Sequence, residues 1–151
     1  MPAHVGRDVI VEFALAPETA AVGSLTWLTL GMLRGKSIKT TWDTADTTAD
    51  KSAAFTKTSL VTFKNVEFSG DGVSYNEAVH NQQALEAAVV SPGAGTGFQP
   101  KAWFRLTYPN GKTYAGPFIV KEWGNESPYS AEATFSISAM SNGNVVMTPG
   151  S

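Results

Sequence analysis

The sequence predicts a mainly β fold: a β-sandwich or small barrel of antiparallel strands with one flanking α-helix. Three features favour this class. Apolar residues recur at every second position in several segments, and clusters of glycine, proline and asparagine separate those segments. Only one segment, at about residues 75–90, has helical spacing. The chain has 151 residues, enough to bury one core, so we expect a single domain covering residues 1–151.

Two-residue periodicity predicts strands near both ends of the chain. Residues 9–15 place apolar side chains at every odd position, as expected for a strand with one buried face. Residues 28–32 continue this pattern, and residues 38–42 form another β-rich stretch. Residues 133–139 alternate Ala, Phe and Ile with Thr and Ser, which makes this segment the clearest half-buried strand.

The apolar pattern slips by one residue in the middle of the chain. Val61 and Phe63 occupy odd positions, whereas Val66 and Phe68 occupy even positions. A strand that faces one core cannot do this without a β-bulge or a change of face. We therefore expect a strand that leaves one sheet and joins another surface, followed by a turn at residues 69–72.

One segment has the spacing of a helix. Ser74 and Glu77 are three residues apart, as in a capping box, in which the serine accepts from a first-turn amide and the glutamate reaches back. Apolar residues within 78–89 then share one helical face, and a Pro-Gly pair follows. We expect a helix at about residues 75–90 that closes the open side of the sandwich.

Residues 103–108 and 113–120 predict a β-hairpin. Asn110 and Gly111 lie between them, and this pair tolerates the positive φ angles of a type I′ turn. Pro117 lies within the second strand, where proline cannot donate a backbone hydrogen bond. The proline therefore indicates an edge position or a local bend.

Residues 43–57 predict a long loop between two strands. The segment is rich in Thr, Ala and Asp, and Phe55 is its only large apolar residue. A loop of about 15 residues is uncommon in a compact domain and often has a function. Asp43, Asp46 and Asp50 are spaced by three and four residues, but the glycine and glutamate of an EF-hand are missing, so we expect no calcium site.

The charge content is low. Charged residues make up 16% of the chain, against roughly 25% in an average soluble protein, which leaves surface available for contact between copies. The net charge is -2 and the basic residues are scattered, which excludes the electrostatic footprint of a nucleic-acid-binding protein. The sequence has no cysteine, no signal-peptide pattern in residues 1–8 and no apolar run of membrane-spanning length. We expect synthesis in a cytoplasm.

The sequence contains no arrangement typical of an enzyme. It lacks the GxSxG, Walker, HExxH and GxGxxG motifs, and its two histidines, His4 and His80, are far apart. Glu77 and Glu86 lie on one predicted helix, where capping and solvation account for them. We therefore expect no catalytic residue, no cofactor and no metal.

Two tryptophans fall outside the core phase of their strands. Trp103 opposes its apolar neighbours, and Trp123 is displaced in the same way. These side chains could pack under the helix or, together with Tyr129, contact another subunit. An exposed coplanar strip of the three aromatics would instead favour sugar binding, as in carbohydrate-binding modules.

Several segments, in a fixed order, resemble a known family. They are Gly6-Arg7-Asp8-Val9-Ile10-Val11, Trp42-Asp43-Thr44-Ala45-Asp46, Ser-Gly-x-Gly-Val at residues 69–73, Gly-Pro-Phe within residues 116–120, and Ala-Glu-Ala-Thr-Phe-Ser-Ile at residues 131–137. Through the order and spacing of these segments over about residues 6–148, the chain resembles the major tail (tail tube) proteins of phages with long non-contractile tails. It is similar in the same way to the tail proteins of gene transfer agents.

The resemblance implies a structural protein rather than an enzyme. Six copies would form a ring, and stacked rings would form a tube through which DNA passes into the host without specific binding. The implied partners are further copies of the chain and the tape-measure, tail-tip and terminator proteins. The implied location is the tail of the virion, after synthesis in the cytoplasm of the host bacterium. A tail terminator or a baseplate component on the same fold is the alternative, as is a carbohydrate-binding module.

The resemblance also assigns the segment at 43–57 to contact between rings. The residues expected in this inter-ring contact are Trp42, Asp43, Asp46, Asp50, Lys51 and Phe55. Trp103, Trp123 and Tyr129 are the candidate contacts between subunits. We expect the loop to become ordered only on stacking, so deleting residues 46–54 should abolish tubes and leave a folded monomer.

Overall fold

The computed structural model describes residues 9–31, 33–46, 59–75 and 80–150. The elements are β1 (Ile10–Ala14), β2 (Leu28–Thr29), β3 (Leu33–Asp46), β4 (Ser59–Val73), α1 (Gln82–Val90), β5 (Lys101–Thr107), β6 (Thr113–Glu126), β7 (Thr134–Ser141) and β8 (Val146–Thr148). Every strand pair is antiparallel. The prediction of a mainly β fold with one helix is confirmed for the described residues.

The strands form one sheet that curls around a single core. Its order is β2-β1-β5-β6-β7-β4-β3, and β8 pairs separately with β6. Although β6 and β7 lie between β5 and β4, the rings of Phe104 on β5 and Phe68 on β4 have centroids only 5.3 Å apart. Phe104 also contacts Phe118 on β6, with centroids 5.6 Å apart. The two halves of the sheet therefore face each other across the core, as in a small sandwich.

The predicted alternation holds in β7 and in β1 as far as Phe13, and it fails at Ala14, which is buried, and at Leu15. Phe135, Ile137 and Ala139 of β7 are buried, as the sequence pattern requires. Residues 9, 11 and 13 are buried at the other end of the chain. Leu15 is exposed, because β1 ends at Ala14 and the chain leaves the sheet there.

Strand β6 is internal, and Pro117 lies at a gap in its pairing. The first part of β6 pairs with β5 on one side and with β8 on the other, and β7 pairing starts only at Phe118. The carbonyl oxygen of Pro117 accepts a hydrogen bond from the Asn142 amide at 2.9 Å, so the side that lacks an N–H faces this gap. The predicted edge position is therefore wrong for the strand as a whole, but proline costs no ladder bond here.

The β5–β6 hairpin is confirmed, but its turn is not type I′. The Gly111 amide donates to the Tyr108 carbonyl at 2.9 Å, so Pro109 and Asn110 are the central residues. A type I′ turn needs positive φ at both, which the proline ring forbids, and only Gly111 has a positive φ, of 91°. Asn-Gly alone predicts a type I′ turn, but Pro109 before it excludes that turn.

Residues 69–72 belong to β4 and do not form the predicted turn. They pair with both β3 and β7. An ideal Cβ on Gly70 would lie 3.1 Å from Leu33 Cδ2 and 3.2 Å from the Gly35 carbonyl oxygen. A glycine is needed at position 70 because Leu33 and Gly35 of β3 pack closely against it. The predicted turn is therefore wrong.

The helix begins at Gln82, later than predicted. Ser74 and Tyr75 are not helical, and Glu77 of the expected capping box lies outside the described residues. Asn81 precedes the helix with φ 57°, a left-handed conformation that asparagine tolerates better than most residues. The Gly31 amide donates to the His80 carbonyl at 3.0 Å, so contact with the segment after β2 fixes the chain just before the helix.

The side chain of the first helical residue, Gln82, binds three backbone groups in two separate segments, at residue 31 and at residues 73–75. Its Oε1 accepts from the Tyr75 amide at 2.8 Å, and its Nε2 donates to the carbonyl oxygens of Gly31 and Val73 at 2.9 and 3.0 Å. The side chain is buried. One turn later Leu85 is fully buried in the core, so the helix closes one side of the curled sheet as expected.

Replacing Gly116 with alanine should lower the free energy of unfolding by about 1–3 kcal/mol. An added Cβ would lie 2.7 Å from Cα of Val145, which is backbone and cannot turn away. Gly23 is the control, since nothing lies within 4 Å of its ideal Cβ. Denaturant unfolding of both variants checks this, and equal loss in Gly23→Ala would contradict a packing cause.

Candidate functional site: a protruding β-ribbon

Strands β3 and β4 extend beyond the rest of the sheet as a pair. The pairing between β4 and β7 stops at Glu67, whereas β3 and β4 remain paired as far as Asp46 and Ser59. We call residues 39–46 and 59–65 the ribbon. Within the described chain, β3 is the end strand of the sheet and only β4 pairs with it. Its outer edge therefore presents backbone donors and acceptors that another strand can pair with.

The ribbon exposes large apolar side chains. Trp42 is 52% exposed, and the exposed fractions of Leu60, Val61 and Phe63 are 64%, 58% and 74%. A two-stranded ribbon is at best marginally stable alone in water, and contiguous exposed apolar residues mark contact sites. The ribbon is therefore the strongest candidate for an interaction surface in the described part of the molecule.

Strand β4 contains a β-bulge within the ribbon. Trp42 is opposite Lys64, but Thr44 is opposite Val61, so β4 contains one extra residue between these pairs. The phase slip predicted from the sequence is confirmed at this position. Val66, on the core side of the bulge, is buried. The bulge keeps Val61 on the same face of β4 as Lys64 and Val66. Val61 is nevertheless exposed, because it lies beyond the end of the β4–β7 pairing at Glu67.

The predicted loop at 43–57 is wrong at its beginning. Residues 43–46 are part of β3 and pair with β4, and the Thr62 hydroxyl donates to the Asp43 carbonyl at 3.2 Å. Threonine is β-branched and favours strands, a preference that outweighs the turn tendency of the aspartates once β4 supplies the hydrogen bonds. Residues 47–57 lie outside the described residues.

The expected inter-ring residues fall into two groups. Trp42 and Asp43 are exposed on the ribbon, and the backbone of Asp46 ends it. Asp50, Lys51 and Phe55 lie outside the described residues. The residues missed by the sequence interpretation are Leu60, Val61 and Phe63. The phase slip is the signal that could have identified this part of β4, since it marks where the strand departs from a single two-residue pattern.

Trp103 packs inside the subunit. It is buried, and its Nε1 donates to the Pro17 carbonyl oxygen at 2.9 Å. Lys101, on the same strand, contacts Glu18 at 2.9 Å, and its hydrogen bond lowers the pKa of that carboxyl. The segment after β1 thus covers this face of β5, which explains an off-phase tryptophan without a partner molecule.

The remaining two aromatics lie in different surroundings. Trp123 is half-buried and stacks on Phe135, with ring centroids 5.2 Å apart and an interplanar angle of 15°. Tyr129 is fully exposed in the connection between β6 and β7. Because Trp103 is buried, the three aromatics do not form the exposed strip that a carbohydrate-binding module requires.

The described surface offers little for chemistry. A recess between β3, β4, β6 and β7 is lined by serine and glycine together with Lys36, Asp71, Glu122 and Ile137. No group of three or more His, Cys, Asp or Glu side chains in the described ranges could hold a metal ion. No helix among these residues is long and apolar enough to cross a membrane.

Comparisons with known proteins agree with this architecture. Residues 3–147 match the model of a family described as phage tail tube protein. No protein of curated function matches the sequence at a significant level.

Solved structures share the fold at low sequence identity. A chain from the tail of an empty gene transfer agent (GTA) particle, determined with C6 symmetry, has a TM-score of 0.71 and 21% identity over 97% of this chain and 100% of that chain. The SPP1 tail tube has a TM-score of 0.63 and 16% identity, covering 97% of this chain and 79% of that one. A chain from the baseplate of the anti-feeding prophage (AFP) has a TM-score of 0.61 and 8% identity, covering 98% of this chain and 97% of that one. Because the family match covers nearly the whole sequence, this chain belongs to the phage tail tube protein family.

Proposed function

We propose that this protein is the structural subunit of a tail tube, in which rings of six copies stack to form a channel for DNA. The observation that carries the proposal is the ribbon, which exposes four large apolar side chains and a strand edge that no other described strand pairs with. Both features are unfavourable in an isolated subunit. Another copy of the chain would bury the apolar side chains and pair with the strand edge. The C6 symmetry of the similar GTA tail supports six subunits in each ring.

The ribbon is the contact between subunits in this proposal. Trp42 and Asp43 lie on it, next to Leu60, Val61 and Phe63 on the partner strand. Asp46, Asp50, Lys51 and Phe55 extend the proposed inter-ring contact along the sequence. Apolar side chains supply the association energy, and the strand edge fixes its direction.

Tyr129 and Trp123 are secondary candidates for contact between subunits. Tyr129 is exposed, and Trp123 is accessible in part. Trp103 makes its hydrogen bond and its packing contacts inside the subunit, so we leave it out of the contact surface. Tape-measure, tail-tip and terminator proteins are proposed partners at the ends and in the lumen of the tube. No residue is assigned a catalytic role.

A tail terminator or baseplate component is the second candidate function. The observation in favour of this second function is the similarity to the AFP baseplate structure. At 8% identity, that similarity shows a shared fold only. The two functions differ in how far assembly proceeds. A tube subunit adds rings without limit, whereas a terminator or baseplate ring stops at a fixed size.

Electron microscopy and sedimentation of the purified protein at rising concentration test this proposal. The protein should be measured alone and after mixing with tail fragments from particles that contain this chain, because growth from an existing end avoids nucleation. Hollow tubes of increasing length are the expected result. Rings of fixed size would favour the second candidate, and a monomer under both conditions would contradict both.

A further inference from the structure

Lys64 lies at the base of the ribbon, where β4 leaves the sheet. Val66 and Phe68 are the buried, core-facing residues of β4, and Lys64 continues their alternation by one step. The pairing between β4 and β7 begins at Glu67, so Lys64 lies just beyond the last strand neighbour on that side. A lysine suits this position because its aliphatic stem extends the apolar row while its ammonium group reaches polar partners.

The ammonium group of Lys64 binds the segment between β7 and β8. Its Nζ donates to Asn144 Oδ1 at 3.0 Å and to the Val145 carbonyl oxygen at 3.1 Å. Both acceptors are neutral, and a hydrogen bond from a charged donor to such groups is stronger than one between neutral groups. The contact joins residues that are about eighty positions apart in the sequence.

The segment that Lys64 binds is itself fixed to the sheet. Val145 is buried in the core and lies so close to Gly116 on β6 that no Cβ could fit between them. The Asn142 amide donates to the Pro117 carbonyl oxygen at 2.9 Å. Lys64 therefore connects the protruding ribbon to the internal strand β6 through residues 142–145.

A second contact supports the same junction. The Val66 amide donates to the Ser141 hydroxyl oxygen at 3.0 Å, in place of a ladder bond to β7. The Ser141 hydroxyl lies 3.4 Å from Asn65 Oδ1. Ser141, at the end of β7, thus binds Asn65 and Val66, which directly follow Lys64. Residues 144 and 145, after β7, bind Lys64 itself.

We propose that Lys64 is a positioning residue that joins the ribbon to residues 142–145 and holds the ribbon at one angle to the sheet. The consequence for assembly rests on the proposed role of the ribbon as the contact between subunits. A ribbon fixed at one angle presents Val61 and Phe63 to the next copy in one geometry. Without Lys64 the ribbon loses its hydrogen bonds to residues 142–145 and keeps only the contacts at Ser141, so successive rings are no longer held at one twist.

Hydrogen–deuterium exchange of the monomer tests the connection without requiring tubes. In Lys64→Met, amides of residues 59–65 and 142–147 should exchange about ten-fold faster, and those of the central β5–β6 hairpin should not change. Lys39→Met, at an exposed lysine of the same ribbon, is the matched control and should leave both segments unchanged. Asn144→Ala removes one acceptor and should give a smaller change in the same two segments. Unchanged exchange at 142–147 in Lys64→Met would overturn the proposal.

The helical twist of assembled tubes tests the consequence. Tubes of Lys64→Met should show a broader distribution of twist between rings than tubes of the wild type or of Lys39→Met. An unchanged twist, together with faster exchange, would overturn the positioning role while the tube function stands. Failure of the wild type to form tubes would overturn the proposed function, and the exchange result would still decide whether Lys64 joins the two segments.

Discussion

Replacing Phe63 with aspartate is expected to abolish tube formation and leave the subunit folded. Phe63 is 74% exposed in the subunit, so its loss should change the free energy of unfolding by less than about 0.5 kcal/mol. In the proposed contact it is a central aromatic residue, and such residues contribute roughly 2–4 kcal/mol when they become buried. A buried carboxylate without a partner adds a further penalty. The critical concentration for assembly should therefore rise about a hundred-fold or more.

Sedimentation and electron microscopy measure the critical concentration, and thermal unfolding shows whether the subunit is intact. Phe98→Asp is the matched control, because Phe98 is 69% exposed and lies outside the ribbon, between α1 and β5. Aspartate also tolerates the positive φ of 61° at this position. Normal tubes from Phe63→Asp, or equal loss in both variants, would contradict a specific role of the ribbon.

Replacing Gln82 with methionine should lower the free energy of unfolding by about 3 kcal/mol or more. Methionine has a similar length, so the cavity term is small, but the Tyr75 amide and the carbonyl oxygens of Gly31 and Val73 lose their partner. Each unsatisfied buried group costs about 1–3 kcal/mol, and relaxation recovers part of the sum.

Urea unfolding followed by circular dichroism measures this loss. Gln99→Met is the control, since Gln99 is exposed and should change the free energy by less than about 0.5 kcal/mol. A similarly small effect for Gln82→Met would show that water satisfies these groups, and that the helix does not depend on this side chain.

Local patterns in the sequence predicted the elements whose structure depends on neighbouring residues. The alternation at 133–139 became β7, and the hairpin between β5 and β6 formed at the predicted position. The phase slip between Val61 and Val66 corresponds to a real bulge. In each case the side-chain period and the local turn chemistry act over a few residues, which is the range that a sequence pattern covers.

The features that the sequence did not predict depend on long-range contacts. The helix starts at Gln82 because residues 80–82 bind the backbone at 29–31 and 73, which no capping pattern contains. Trp103 is buried because Pro17 supplies an acceptor from 86 positions away. Residues 43–46 are a strand because 59–61 pair with them. Each outcome depends on a partner that is distant in sequence.

The candidate site was predicted in part. Trp42 and Asp43 were identified through the family resemblance, and both lie on the ribbon. For Leu60, Val61 and Phe63 the sequence pattern indicates an irregular strand but no contact site. Whether an apolar side chain of a strand faces the core or solvent depends on where its neighbouring strand ends. Here the pairing between β4 and β7 stops at Glu67. The position of that end depends on strands that are distant in sequence.

A cryo-EM reconstruction of the assembled tube would decide whether the ribbon is the contact between subunits, because it shows where each ribbon lies. In that reconstruction we expect Leu60, Val61 and Phe63 to be buried against another copy of the chain, with the outer edge of β3 paired or covered. A tube in which these three side chains remain exposed to the lumen or to the outside would contradict it.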